Sequence, residues 1–307
     1  MQRPIRIGTR GSALALVQAN NVAQALIAAH GLDPALLEIV PIQTTGDREA
    51  ERRLADIGGK GLFTKEIEDG LYDKTLDIAV HSMKDMPTVL PEGLIIDCVM
   101  EREDARDAFI SPVAATLEAL PEGAKFGTSS LRRAAQVLAR RPDLEIVPFR
   151  GNVATRLKKL EDGVAAGTFL AMAGLNRLGM ADVATDPMSP DIMLPAVAQG
   201  IVGIERRVDD EEMAHLLAPI HHVETAIVMA AERAFLAALD GSCRTPLAGF
   251  ARFDKGRIKF QGQILTPDGK IVHLASREGS PALSAALGAD AATELKAKGG
   301  PAFFATW

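Results

Sequence analysis

The chain is poor in cysteine, since its 307 residues include only Cys98 and Cys243. The two lie far apart in sequence and have no paired or metal-ligand spacing, which argues against a disulfide-stabilised scaffold and indicates a reducing compartment. The 6 histidines form neither an HExxH motif nor a Cys-His spacing. The sequence therefore predicts no metal site.

Long hydrophobic runs are also missing. No stretch approaches the roughly 18 apolar residues of a membrane span, and the first residues, MQRPIRIGTRGSALAL, lack the apolar core of an export signal. The formal net charge of -6 argues against a surface devoted to nucleic acid or to an anionic membrane. We therefore expect a cytoplasmic protein in which any anion-binding site is local.

Short β-rich segments alternate with helical ones through the first two thirds of the chain. Predicted strands at 5–8, 37–44 and 76–82 are separated by predicted helices over 13–30 and 64–72. This alternation is typical of βαβ units around a mostly parallel sheet, so the sequence predicts an α/β fold.

A partial internal repeat indicates two similar lobes. Gly8 and Gly127 each lie at the end of a predicted strand ahead of a helix, and each is followed by the letters LEIVP, at 37–41 and 144–148. The distance from the glycine to LEIVP differs by a dozen residues between the two copies. Coincidence therefore stays the alternative to a duplicated lobe.

The last third of the chain has a different pattern. After a predicted helix over 224–239, strand-like segments alternate around turns at 254–256 and 267–269, which is typical of a separate antiparallel α+β domain. Two segments, 101–107 and 194–203, have the charge, proline and glycine expected of crossings between lobes.

Residues 46–62 combine charged side chains with Gly58, Gly59 and Gly61. Such a segment forms either a mobile flap or a solvated helix and loop. The sequence leaves both interpretations open.

Arginine recurs beside glycine, serine, threonine or asparagine at predicted strand ends and helix starts. A guanidinium grips a carboxylate bidentately, and a helix N-terminus adds free N–H groups. Six such arginines on an acidic chain predict a cleft for a polyanion, although each one alone could pair with a surface carboxylate. The chain has no P-loop and no dinucleotide fingerprint. The six are Arg10, Arg132, Arg133, Arg150, Arg156 and Arg177.

Asp85 is the leading candidate for a catalytic acid. It follows the predicted strand 76–82 and Lys84, and the chain then reaches Pro87. Because strand carboxyl ends in an open α/β sheet face the ligand crevice, this position places a carboxylate beside a cation where chemistry is usually done. The alternative is an acid that caps a turn or pairs with Lys84.

Cys243 lies in the motif GSCRTP, between a predicted helix and the first strand of the last domain. Neighbouring Arg244 would favour its thiolate, and no histidine close in sequence suggests an activating base. A covalent anchor therefore fits better than a hydrolase nucleophile, with a buried packing role as the alternative. Cys98 lies in the apolar run LIIDCVM and is interpreted as packing.

Motifs from one end of the chain to the other share their order with one enzyme family. They read GTRGSALALVQA, TTGD, GGKGLFTKEIE, DIAVHSMKDMP, GTSSLRR, RGNVATRL, AGLNRLG, AVAQGIVGIE and GSCRTPLAGF. Over nearly its whole length the chain resembles the porphobilinogen deaminase family. The resemblance implies two type II periplasmic-binding-protein-like lobes with mixed, mainly parallel sheets, and a small α+β C-terminal domain. Lobe 1 would hold 1–100 with 197–219, lobe 2 would hold 101–196, and the C-terminal domain would hold 220–307.

The resemblance also implies an activity and a cofactor. Four porphobilinogen molecules would be deaminated and joined head to tail onto a dipyrromethane cofactor, and released as hydroxymethylbilane with loss of ammonia. The cofactor would be covalent, through a thioether to Cys243. Each pyrrole bears an acetate and a propionate, so the lengthening chain would need a row of arginines. Asp85 would stabilise the cationic intermediate and hydrogen-bond the pyrrole N–H groups.

The resemblance assigns the remaining site residues to two groups around the catalytic Asp85. The group that holds the cofactor consists of Cys243, Ser82, Lys84, Thr128, Ser130, Arg132, Arg133, Arg150 and Arg156. The group toward the substrate consists of Arg10, Gln18, Lys60, Phe63, Arg177 and Gln199.

The implied partners are porphobilinogen and the growing oligopyrrole, without nucleic acid or membrane. The chain would be a monomer that makes transient contact with the next enzyme of the pathway. Two other classes of protein share the architecture. A solute-binding protein that closes on a carboxylate is disfavoured by the missing export signal and the extra cysteine domain. A ligand-binding domain of a transcription regulator is disfavoured because no helix-turn-helix segment is recognisable.

Overall fold

The computed structural model describes residues 3–45, 64–241 and 245–307. By its internal contacts the chain divides into two units. Unit 1 comprises Met1–Glu103 and Gly200–Ala226, and unit 2 comprises Asp104–Gln199 and Ile227–Trp307.

Two of the three passages between units fall within the predicted crossing segments, 101–107 and 194–203. The finer division into two lobes and a C-terminal domain stays a prediction. The predicted flap at 46–62 lies outside the described residues.

Unit 1 contains a five-stranded mixed sheet. Its strands are β1 (Ile5–Arg10), β2 (Leu37–Ile42), β3 (Ile78–Ser82), β4 (Leu94–Val99) and β10 (Val202–Arg207). In the order β2-β1-β3-β10-β4, β1 is parallel to both of its neighbours and β10 is antiparallel to both of its own. Helices α1 (Ala13–His30), α2 (Lys65–Tyr72) and α6 (Glu211–Leu217) belong to the same unit.

Helix α1 has the bounds that the sequence predicts, because both of its ends are capped. The Ser12 Oγ accepts a hydrogen bond from the Ala15 N–H, and Gly31, with φ 64°, donates its N–H to the Ile27 carbonyl. Val22 and Leu26 on its inner face pack into a core with strand residues of β1, β3 and β10. Burial of this face stabilises the βαβ arrangement.

Two strands of unit 1 are shorter than predicted. The strand predicted at 76–82 begins at Ile78, because the Asp77 carboxylate accepts the Arg6 N–H at 2.8 Å and pairs with the Arg6 guanidinium. The strand predicted at 37–44 ends at Ile42, and three residues later the Thr45 N–H donates to Glu66 Oε1 at 2.8 Å. Near each of these strand ends a side-chain carboxylate thus accepts a backbone N–H.

Unit 2 repeats this sheet. Its strands are β5 (Asp107–Ile110), β6 (Lys125–Gly127), β7 (Glu145–Val147), β8 (Gly167–Ala171) and β9 (Asp186–Pro187), in the order β7-β6-β8-β5-β9. Strand β6 is parallel to β7 and β8, whereas β5 is antiparallel to β8 and β9. The helices of this sheet are α3 (Leu131–Arg140), α4 (Val153–Glu161) and α5 (Met172–Arg177).

The register of the two sheets confirms the internal repeat. Gly8 pairs with Val40, the fourth letter of the first LEIVP. Gly127 pairs with Val147, the fourth letter of the second. The dozen extra residues in the first copy therefore change the connection between the strands and leave their pairing unchanged.

The remaining part of unit 2 is the α+β segment that the sequence predicts. Strands β11 (Leu247–Asp254), β12 (Arg257–Leu265) and β13 (Val272–Gly279) form an antiparallel meander. Helix α8 (Ser284–Phe304) accompanies it, together with α7 (Val223–Ala238), whose first four residues belong to unit 1. Phe235 of α7 packs against Phe260 of β12 with ring centroids 5.2 Å apart. The predicted fold class is confirmed.

The end of β6 has no room for a side chain at Gly127. A Cβ there would lie 2.5 Å from Cδ2 of Phe149, which is fully buried and cannot swing away. We expect Gly127→Ala to lower the free energy of unfolding by about 1–3 kcal/mol through overpacking, measured by urea denaturation. Gly11→Ala is the matched control, because a Cβ at Gly11 meets nothing within 4 Å. Equal stability of the two variants would contradict this packing argument.

Candidate functional site

Asp85 stands on a short 3-10 turn, Met83–Asp85, at the carboxyl end of β3. The turn is anchored from below, because Met83 and Met86 are buried and the Met83 N–H donates to the Ile201 carbonyl at 3.0 Å. The Asp85 side chain is exposed. Within the described part of the chain its carboxylate makes no hydrogen bond or ion pair, so it is available to a ligand.

A buried contact between a histidine and a carboxylate lies on the strand that leads to this turn. His81 Nε2 lies 2.9 Å from Glu205 Oε2, and both side chains are almost fully buried. Burial raises the pKa of nearby Glu68, and the charge of Glu205 adds to the shift. The pair joins β3 to the antiparallel strand β10 and so helps to fix the strand that carries Asp85.

Gln18 lies in α1 and is only 4% exposed. Its amide Nε2 is buried and has no hydrogen-bond partner among the described residues. A buried unsatisfied donor costs about 1–3 kcal/mol. An acceptor on a ligand would remove that cost. Arg10, at the end of β1, belongs to the same unit.

In unit 2 two helices begin beyond the carboxyl ends of neighbouring parallel strands. Ser130, after β6, caps α3 by accepting the Arg133 N–H at 3.4 Å. Asn152, after β7, caps α4 by accepting the Thr155 N–H at 2.9 Å. Thr128 joins the two strand ends, since its N–H donates to the Val147 carbonyl at 3.0 Å. Helix N-termini at one sheet edge favour anions.

Arg132 and Arg133, in the first turn of α3, are buried and ion-paired with one carboxylate. Arg132 Nη1 lies 2.7 Å from Asp107 Oδ2, and Arg133 Nη2 lies 2.6 Å from Asp107 Oδ1. Gln199 Nε2 donates to the same Oδ1 at 3.1 Å. Three residues predicted for the site therefore converge on Asp107.

Arg156 lies in a positive environment. Burial lowers the pKa of its guanidinium to about 10, and repulsion from Arg133 and Arg150 adds to the shift. Its Nε donates to the Gly151 carbonyl at 2.9 Å. Three guanidiniums within electrostatic reach of one another favour a bound polyanion.

The two units thus each hold part of the predicted site. Unit 1 contains Arg10, Gln18, Ser82, Lys84 and Asp85. Unit 2 contains Thr128, Ser130, Arg132, Arg133, Arg150, Arg156, Arg177 and Gln199. Three predicted residues lie outside the described part of the chain, namely Lys60, Phe63 and Cys243.

Asp107 is the residue that the sequence analysis missed. It lies in the segment EREDARD, which reads as a charged crossing. The signal in the sequence was the apolar run Ala108–Ile110 directly after this acid. In the structure all four residues of Asp107–Ile110 are buried. An acid that opens a buried strand must be paired, and the GTSSLRR motif offers two arginines.

Two protein-family models match the chain. Residues 5–215 match the porphobilinogen deaminase, dipyromethane cofactor binding domain, and residues 226–297 match the porphobilinogen deaminase C-terminal domain. The chain belongs to the porphobilinogen deaminase family. This membership confirms the predicted function and the predicted dipyrromethane cofactor.

Two relatives named porphobilinogen deaminase match nearly the whole of this chain. Porphobilinogen deaminase of Paracoccus denitrificans (strain Pd 1222) is 60% identical over 306 residues, which covers 100% of this chain and 97% of the relative. The chloroplastic porphobilinogen deaminase of Oryza sativa subsp. japonica is 52% identical over 305 residues, covering 98% and 85%. Among solved structures, the aliphatic sulphonate binding protein SsuA of Escherichia coli is 10% identical with a TM-score of 0.39, covering 78% and 71%.

The donor set of unit 2 fits the cofactor of porphobilinogen deaminases. A dipyrromethane with acetate and propionate groups is a polycarboxylate. The pKa of the Arg156 guanidinium is lowered by burial and by the charges of Arg133 and Arg150, and bound carboxylates would offset that repulsion. The helix N-termini at Ser130 and Asn152 add to the fit.

The described residues include neither a metal-binding cluster nor a membrane-spanning helix. Within residues 3–45, 64–241 and 245–307, no three His, Cys, Asp or Glu side chains are grouped so that they could hold a metal ion. Among the described helices, none combines the length and the apolar character that crossing a membrane requires.

The Arg156 guanidinium should destabilise the folded chain. Burial lowers the pKa of Arg156 to about 10, so folding disfavours the charged form at every pH below about 10 and the cost fades only above it. We expect Arg156→Gln to raise the free energy of unfolding by up to about 1 kcal/mol at neutral pH after solvent screening. Urea denaturation of the cofactor-free chain measures it.

Salt and a control variant test the electrostatic origin of this gain. The gain should shrink at about 1 M salt, where charges are screened within a few ångströms. Arg140→Gln is the control, because exposed Arg140 pairs with exposed Glu118 at 3.1 Å and should not gain stability. A loss of stability in Arg156→Gln that matches the control would contradict the argument.

Proposed function

We propose that this chain deaminates porphobilinogen, joins four molecules head to tail and releases hydroxymethylbilane and ammonia. The observation that carries the proposal is the Asp85 carboxylate at the carboxyl end of β3, which is exposed and has no partner among the described residues, in a chain that belongs to the porphobilinogen deaminase family. The named relatives support the same activity.

The proposal assigns the cofactor to residues of unit 2 together with Ser82 and Lys84. Cys243 would hold dipyrromethane through a thioether. When bound, the cofactor supplies the pyrrole carbon to which the first substrate unit is joined. Its carboxylates would be held by guanidiniums, hydroxyls and helix N-termini. These groups belong to Thr128, Ser130, Arg132, Arg133, Arg150 and Arg156.

Asp85 would carry the proton transfers. As a carboxylic acid it donates a proton to the leaving amine, and as a carboxylate it stabilises the cation that remains on the substrate. It then accepts the proton that the attacking pyrrole carbon loses, so each addition leaves its protonation unchanged. Buried Met83 and Met86 hold the turn on which this group stands, which favours a fixed position for the carboxylate.

The residues proposed to bind the substrate carry hydrogen-bond donors that suit the carboxylates of its pyrrole ring. The buried Gln18 amide has no hydrogen-bond partner within the described ranges and suits an acceptor on the substrate. Arg10, Arg177 and Gln199 complete the proposed substrate set, with Lys60 and Phe63 from outside the described residues. We also propose that the chain is a cytoplasmic monomer that makes transient contact with the next enzyme of the pathway, although the rice relative is named chloroplastic.

Intact-mass measurement of the purified chain tests the proposal directly. We expect a mass greater than that of the polypeptide by a two-pyrrole adduct, and we expect Cys243→Ser to have the mass of the polypeptide alone. Cys98→Ser is the matched control and should keep the adduct, since the Cys98 thiol is buried and its pKa is raised to about 12 by burial. A wild-type chain without adduct and without porphobilinogen turnover would refute the function.

Asp85→Asn tests the catalytic assignment. The amide keeps the size of the side chain and loses both the negative charge and the proton transfer, so we expect turnover to fall by at least a hundredfold, while the adduct and the melting temperature stay near those of the wild type. Asp209→Asn is the control, because Asp209 is an exposed carboxylate of unit 1 at the end of β10. Turnover of Asp85→Asn within tenfold of the wild type would overturn the role of this residue.

A further inference from the structure

Asp107 is fully buried at the start of β5, and its carboxylate is the meeting point of three side chains predicted for the site. Oδ1 accepts hydrogen bonds from Arg133 Nη2 at 2.6 Å, from Arg133 Nε at 3.2 Å and from Gln199 Nε2 at 3.1 Å. Oδ2 lies 2.7 Å from Arg132 Nη1. All four residues belong to unit 2.

The carboxylate is ionised although it is buried. Burial raises the pKa of the Asp107 carboxyl, but the charges of Arg132 and Arg133 outweigh burial and hold the pKa well below its usual range. Two guanidiniums around one carboxylate leave a net charge of one positive unit. The cluster therefore still favours an anion after Asp107 has been counted.

Backbone carbonyls also hold both guanidiniums. Arg133 donates from Nη1 to the Phe169 carbonyl at 2.7 Å, and Arg132 donates from Nη1 to the Leu194 carbonyl at 2.8 Å. Of the five N–H groups of a guanidinium, Arg133 uses three on Asp107 and Phe169, which together define its plane. Arg132 is held by its hydrogen bond to Leu194 and by the ion pair with Oδ2.

The backbone around the carboxylate is held as well. Gln199 Nε2 donates to the Ala105 carbonyl at 2.7 Å in addition to Asp107. The preceding residue, Ala198, has φ 58° and its N–H donates to buried Glu232 Oε2 at 2.6 Å. A left-handed alanine is costly and persists only where its surroundings fix it. The segment that delivers Gln199 to Asp107 is therefore rigid.

We propose that Asp107 is a positioning residue for cofactor capture, which holds the Arg132 and Arg133 guanidiniums in one orientation before the carboxylates of the ligand arrive. The proposal rests on the proposed function. Its physical content is preorganisation, since donors that are already oriented lose little entropy when the ligand binds. If Asp107 positions the arginines, its removal should slow cofactor capture. If the arginines act only as charges, removal of Asp107 should speed capture.

Asp107→Asn separates the two views. The substitution keeps the shape of the side chain and adds one net positive charge to the cluster. If the arginines act only as charges, capture of a polycarboxylate should become faster. If Asp107 positions them, capture should slow, and we expect at least a tenfold slower appearance of the adduct.

The measurement is a time course of intact mass. Full-length chain from a host that makes no porphobilinogen is mixed with porphobilinogen, and the fraction carrying the adduct is followed. Thermal melting before mixing shows that the variant is folded. Asp143→Asn is the matched control, because it removes one carboxylate of unit 2 that lies at the surface, paired with Arg141 at 2.7 Å. It should load at the wild-type rate within twofold.

Asp107→Glu keeps the proposal testable if the asparagine variant does not fold. Glutamate retains the charge. The added methylene should lower the free energy of unfolding less than leaving two buried guanidiniums without a counter-ion does. Charges alone predict loading at the wild-type rate, whereas positioning predicts loading slowed at least threefold, because the carboxylate is displaced. Loading of the folded variants at or above the wild-type rate would overturn the proposal.

The failure of this inference is distinguishable from that of the proposed function. A wild-type chain that never gains the adduct refutes the proposed function. A wild-type chain that gains it, together with Asp107 variants that gain it as fast, refutes only the positioning role.

Discussion

The requirement that a buried charge be paired shapes unit 2 more than any other constraint. Arg132 and Arg133 are 5% and 6% exposed, and guanidiniums at that depth need a counter-charge and hydrogen-bond acceptors. Asp107 supplies the charge, and the Phe169 and Leu194 carbonyls supply acceptors. The start of β5, the end of β8 and the segment before Gln199 are thereby fixed to the first turn of α3, which is where an anion site would begin.

The duplicated sheet explains why the predicted site residues fall at matching places in the two units. In both, a glycine pairs with the fourth letter of LEIVP and the chain then enters a helix capped by a serine, Ser12 in one and Ser130 in the other. Parallel strands send their carboxyl ends to one edge, so helix N-termini collect there. The units differ in what each adds at its own sheet edge. Unit 1 adds the exposed carboxylate of Asp85 with the cations of Arg10 and Lys84, and unit 2 adds a larger set of guanidiniums.

Sequence reasoning reached the features that are encoded locally. The alternation of strand and helix and the caps of α1 lie within short windows, and the LEIVP repeat lies within each copy. The partners of the arginines were out of reach, because Asp107 precedes Arg133 by 26 residues and only the antiparallel course of β5 brings them together. For the same reason a sequence cannot tell that the Gln18 amide is buried without an acceptor, since that depends on what packs around α1.

Three residues of the predicted site or beside it carry a cost in the folded chain. Among the described residues the buried Gln18 amide Nε2 has no hydrogen-bond partner, burial lowers the pKa of the Arg156 guanidinium, and Ala198 has a left-handed backbone. Costs of the same kinds also lie elsewhere, at the buried Gln261 Oε1 and at the left-handed Lys255. Such a cost therefore does not by itself mark a binding position. Gln18 and Arg156 are singled out because the sequence motifs already predict them for the site, and a carboxylate ligand could offer an acceptor to the first and a negative charge to the second.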